Sequence, residues 1–112
     1  MRKADRMAEM EQNYQLKMKC IEKRKTIAYC RRRLNRGLPI DKDRMQAEIE
    51  EEMRLYQLRN REEPDMESYA DEEHKAILEE ERRDYERCLE ILQKNLDDIF
   101  ASIDVKNQLT VR

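Results

Sequence analysis

The chain has 112 residues, of which 38% are hydrophobic and 45% charged, with a net charge of −2. Near-neutral net charge argues against a disordered polyelectrolyte, and one glycine, two prolines and no tryptophan leave little material for turns or a broad core. Composition therefore excludes most β-rich and enzyme-like globular folds and points to helices that bury narrow seams against one another.

The first element is a helix over residues 3–36. Met7, Met10, Tyr14, Met18 and Ile21 recur every three or four residues, with Leu16, Cys20, Ile27, Cys30 and Leu34 as an adjoining stripe. Gly37, followed by Leu38 and Pro39, is a helix stop. Asp41 is then placed to cap a second helix over 42–62, whose apolar positions are Met45, Ile49, Met53 and Tyr56, with Leu55 and Leu58 beside them. Pro64 breaks the chain again, and Asp65 or Ser68 can cap a third helix over 66–103. Leu78, Tyr85, Leu92 and Ile99 recur every seven residues there, flanked by Leu89, Leu96 and Ile103. Residues 104–112 read as a polar tail, so residues 1–103 form a single helical domain.

The expected fold is all-α: an antiparallel helical hairpin of the first two helices plus a long third helix. If Pro64 only kinks the chain, the third helix projects away and the molecule is elongated and coiled-coil-like. If the chain reverses there, an unequal three-helix bundle results. Both geometries leave part of the third helix without an internal partner, because it is about twice as long as the second at 1.5 Å per residue.

Charge is unevenly spread. Residues 1–44 carry +8 and residues 45–112 carry −10. The basic share is concentrated in Lys23, Arg24, Lys25, Arg31, Arg32, Arg33 and Arg36. A hairpin through residues 37–41 sets side by side residues whose numbers add to about 79. Arg31, Arg32 and Arg33 then face Glu48, Glu50, Glu51 and Glu52, and Lys17 faces Glu62 and Glu63. Internal pairing is the preferred reading of this basic patch. The alternative is a basic helix, residues 17–36, that binds a polyanion such as the microtubule surface or nucleic acid. Nucleic acid is the weaker choice, since Tyr29 is the lone aromatic residue within the run and offers no stacking platform.

Nothing in the pattern suggests catalysis. Cys20, Cys30, Cys88 and the single histidine, His74, lack metal-ligand spacing, and no cofactor is expected. The cysteines read as free thiols in apolar stripes. The amino terminus "MRKADRMAEMEQ" has no apolar signal-peptide core and no apolar run is of membrane-spanning length. The expected location is intracellular and cytoplasmic, with cytoskeletal or nuclear placement as alternatives. The function expected from these features is non-enzymatic: a coiled-coil adaptor, scaffold or small structural subunit of a larger assembly. Its expected partner-binding seam is Leu78, Tyr85, Leu89, Leu92, Leu96, Ile99 and Phe100. The partner would be another helical protein or a second copy of the chain.

Overall fold

The computed structural model describes residues 3–60 and 71–110. They form three helices: α1 (Lys3–Asn35), α2 (Lys42–Asn60) and α3 (Asp71–Thr110). α1 stops where the glycine demands it. Gly37 adopts φ 66°, and the two carbonyl oxygens left open by the last turn are taken up by reversed bonds. The Leu38 N–H donates to the Arg33 carbonyl at 2.9 Å and the Gly37 N–H to that of Leu34 at 3.1 Å, which is a Schellman cap. No atom lies within 4 Å of where a Cβ on Gly37 would stand, so a side chain there meets backbone strain alone. Gly37→Ala is expected to cost about 1 kcal/mol in urea unfolding, with helix content unchanged.

α2 begins on Asp41, whose Oδ1 accepts from the backbone N–H groups of Asp43 at 3.1 Å and Arg44 at 3.2 Å. The turn is also pinned from inside. Tyr29 is buried, and its hydroxyl oxygen accepts from the Arg33 Nε–H and from the backbone N–H of Asp41, both at 2.9 Å. One phenol thus ties the last turns of α1 to the start of α2.

α3 lies alongside α1 and runs parallel to it. Asn13 Nδ2 donates to the Leu78 carbonyl at 3.0 Å, and seven residues further along each helix Cys20 Sγ lies 3.8 Å from the Tyr85 carbonyl oxygen. Residues 65 apart therefore stand at the same height. Since α2 runs antiparallel to α1, the chain reverses between α2 and α3, and the fold is an unequal three-helix bundle rather than a kinked extension. Pro64, Asp65, Ser68 and the expected first turn of the third helix, from residue 66, lie outside the described residues, as do Glu62 and Glu63. At its far end α3 continues to Thr110, so residues 104–110 are helical and not an irregular tail. That stretch, "DVKNQLT", holds neither glycine nor proline to stop it.

α1 is the central helix: α2 and α3 both pack on it and scarcely meet each other. The bundle measures 63 × 25 × 19 Å, close to the length of α3 itself, about 60 Å at 1.5 Å per residue. Its tightest apolar packing is at the end holding the 37–41 turn. There Ile27, Tyr29, Cys30, Leu96 and Ile99 are buried together, with Leu34, Ile40, Met45, Leu92 and Ile103 packed around them. The opposite end is more polar, with Asn13 and His74 buried. Of the first stripe read from α1, Met18 and Ile21 are buried, but Met7 is 60% exposed and Met10 is at the surface too. α2 ends at Asn60, and Gln57, three residues before that end, bonds to Tyr14, so α2 as far as Asn60 stops short of both methionines.

Candidate interaction surface

The heptad stripe of α3 is occupied from within. Leu78, Leu96 and Ile99 are buried, and Tyr85, Leu89 and Leu92 are half-buried, all along the side that lies on α1. Of the seven residues expected to receive a partner, Phe100 alone remains mostly outside, at 47% exposure. The parallel arrangement gives α3 the long α1, not the short α2, as its neighbour, and α3 still outruns it, since the 65-residue register sets Asn35, the last residue of α1, level with Phe100. The large apolar groups left at the surface are Met7 and Met10 on α1, Leu38 in the turn, Leu55 and Leu58 on α2, and Ile91 and Phe100 on α3. Leu55 and Leu58 are three apart and share a helix face.

The basic run divides into neighbours with different partners. Arg32 Nη2 donates to both oxygens of Glu48, at 2.6 and 2.7 Å, and Lys25 Nζ lies 3.9 Å from Glu52, which also takes Arg59 at 3.6 Å. These pairs hold α2 against α1 in the expected hairpin register. The expected pairing of Lys17 with Glu62 and Glu63 falls outside the described residues, and several other groups find different partners. Arg33 turns inward to Tyr29, Lys23 donates to the amide oxygen of Gln93 on α3, and Glu51 is taken by Arg54 within α2. That guanidinium holds the Glu51 carboxyl below the usual carboxylate range. Glu50 accepts from Gln46. Arg24, Arg31 and Arg36 form no ion pair among the described residues and are exposed.

Exposed pairs are weak individually, contributing about 0–1 kcal/mol. Reversing one partner is a sharper probe, because it sets like charges at ion-pair distance. Arg32→Glu and Glu48→Arg are each expected to cost about 1 kcal/mol, and the double exchange to recover most of that loss. Urea titration of the three variants measures it.

Lys17 stands between the rings of two tyrosines from different helices. Its ammonium lies 5.6 Å from the ring centroid of Tyr56 on α2 and 5.5 Å from that of Tyr85 on α3. It bridges the two helices that otherwise scarcely meet, a cation held by two ring faces. Tyr14 extends this group, with its ring 6.2 Å from that of Tyr56 and its hydroxyl accepting from Gln57. The Tyr85 hydroxyl donates to Glu81, and burial, followed by the Glu81 charge and this bond, pushes the phenol pKa well up. The spacing of Tyr14, Lys17 and Ile21 was the available signal, since it places the lysine inside the stripe that α2 covers.

An open groove of about 770 Å³ runs between α1 and α3, lined by Lys19, Glu22 and Lys23 on one wall and Leu89, Glu90 and Lys94 among others on the second. Its charges are mixed. Among the described residues no three His, Cys, Asp or Glu side chains come together in a way that could hold a metal ion, and no helix is long and apolar enough to cross a membrane. No protein-family model, curated protein or solved structure matches this chain.

Proposed function

We propose that the chain is a non-enzymatic protein–protein interaction module, a coiled-coil-type adaptor or small structural subunit of a larger intracellular assembly. The observation that carries this reading is the apolar surface left over once the bundle has filled its own seams: Leu55 at 40%, Leu58 at 44%, Ile91 at 63% and Phe100 at 47% exposure. These side chains contribute little to the bundle, so partner helices can cover them without unfolding it, Ile91 and Phe100 from opposite faces of α3 because they are nine residues apart. The test is a comparison of cross-linked partners in cells, by mass spectrometry, between the wild-type chain and a variant carrying Leu55→Lys, Leu58→Lys, Ile91→Lys and Phe100→Lys. The variant is expected to keep its circular dichroism and melting temperature and to lose at least ten-fold in recovery of its main partners. Equal recovery would remove the surface from the account.

The second reading, a polyanion binder, is favoured by Arg24, Arg31 and Arg36, which are exposed and form no ion pair among the described residues. It predicts binding to a microtubule lattice or nucleic acid that weakens by orders of magnitude over a few-fold rise in salt. Replacing these three arginines with Glu would abolish that binding and leave the stability of the bundle intact.

A further inference from the structure

We propose that Cys20 and Cys88 form a redox-sensitive staple between α1 and α3. Cys20 is completely buried on the side of α1 that meets α3, and its sulfur stands 3.8 Å from the carbonyl oxygen of Tyr85. A contact of that length puts the α3 backbone within one side chain's reach of Cys20. In an α-helix the carbonyl of a residue points along the axis toward the next turn, so its oxygen lies beside the side-chain root three residues on. For Tyr85 that residue is Cys88. The Cys20 sulfur and the Cys88 side chain thus flank the same carbonyl from two helices, and Cys88 is close enough to contribute to the raised pKa of the Cys20 thiol. The third cysteine, Cys30, lies about 15 Å further along α1 and is enclosed in the apolar cluster with Ile27 and Tyr29.

The two thiols differ in access. Cys88 is half-buried and can meet a small oxidant, whereas Cys20 is sealed and burial raises its pKa. With hydrogen peroxide as the oxidant, the Cys88 thiolate attacks one oxygen, the O–O bond breaks, and the departing hydroxide takes a proton to become water. Cys88 is now a sulfenic acid, oxidised by two electrons. The Cys20 thiol gives up its proton as its sulfur attacks that of Cys88, the S–OH bond breaks, and a second water leaves. In sum, two thiols and one peroxide give one disulfide and two waters, and an external thiol reverses the step. The bond closes a long loop that includes all of α2, the geometry in which a cross-link most restricts the unfolded chain.

The experiment uses the purified, fully reduced chain at low concentration, treated with hydrogen peroxide and quenched with an alkylating agent. The expected product is a monomer that is about 2 Da lighter than the reduced chain before alkylation and that takes up one alkyl group instead of three once unfolded. Proteolysis should yield a peptide linking Cys20 to Cys88, and the melting temperature should rise by about 10 °C and fall back on reduction. Cys30→Ala should keep the linked peptide, and Cys88→Ser should abolish both it and the thermal shift. The linked peptide is read in the unaltered chain, so its appearance depends on no variant folding correctly. Cys88 driven to sulfinic acid with Cys20 still a thiol, a disulfide involving Cys30 or a second chain, or a melting temperature unchanged or lowered by oxidation would each overturn the staple.

Discussion

Ile99→Asp is expected to unfold the bundle. Ile99 is 8% exposed within the cluster of Ile27, Tyr29, Cys30 and Leu96, where α1, α3 and the start of α2 converge. Removing its buried methyl and methylene groups costs about 2–5 kcal/mol by itself. Burying an unpaired carboxylate adds several kcal/mol more, or forces the site open to water. A domain of this size has about 5–15 kcal/mol of stability in total, so the two losses together approach the whole. Ile91→Asp is the matched control. Ile91 sits eight residues earlier on the same helix at 63% exposure, and its replacement should change stability by no more than about 0.5 kcal/mol. Circular dichroism and urea titration of the pair distinguish a stripe that faces α1 from one that waits for an external partner. In the latter case both variants would keep their helix content.

His74→Leu should have the opposite sign. The imidazole is 1% exposed, and neither ring nitrogen has a hydrogen-bond partner among the described residues. Leaving such groups unsatisfied costs about 1–3 kcal/mol. The 65-residue register sets Glu9 at the height of His74, and Glu9 Oε2 is likewise buried without a partner. One seam position further along, Asn13 differs, since its amide is satisfied by the Leu78 carbonyl. Replacing His74 with a leucine of similar bulk removes the orphaned nitrogens and keeps the volume filled. The expected gain is about 1–2 kcal/mol, seen as a higher urea midpoint with an unchanged slope. Asn13→Leu, which abandons a satisfied bond and exposes the Leu78 carbonyl to the same penalty, should not gain in this way. A loss of stability in His74→Leu would mean that the imidazole is making a favourable interaction after all.

The parts of this fold that were legible in the sequence are those set by local chemistry. Gly37 and Asp41 fix a helix stop and a helix start through backbone geometry that no distant residue has to supply. The hairpin register followed from the short turn and the charge segregation, and Arg32 with Glu48 forms the pair that register requires. Arg33 escaped the same argument because a buried hydroxyl on its own helix, one turn back, was a nearer acceptor than any carboxylate of α2. The direction of α3 was not legible. A seven-residue repeat of Leu78, Tyr85, Leu92 and Ile99 states that some helix covers the stripe, but not which one or in which sense. The complementary seam on α1 runs through Asn13, Cys20, Ile27 and Leu34, and a polar residue at its head obscures the repeat. Asn13 carries information that hydropathy alone discards, because its hydrogen bond to Leu78 is met in one register and lost in the others. The basic groups form only part of the pairs that the register implies, since exposed arginines choose among acceptors separated by small energies.

The central claim is that α3 folds back parallel to α1 and spends its heptad stripe there. Pulsed electron–electron resonance between spin labels at Glu22 and Arg87 tests it most directly. Both positions are exposed, and they are 65 residues apart, so they stand at one height on adjacent helices. The labels should be attached through unnatural amino acids, leaving the three cysteines in place and reduced. Adjacent helix axes about 8–10 Å apart, with the reach of two labels added, predict a narrow distribution centred at about 20–30 Å. If α3 instead continued away from the hairpin, Arg87 would lie about 35 Å beyond Pro64 and Glu22, level with residue 57 of α2, about 10 Å before it, and the distribution would centre at or beyond about 45 Å. That longer distance would contradict the bundle, return Leu78, Leu92 and Ile99 to the surface, and make the stripe of α3 a docking face again.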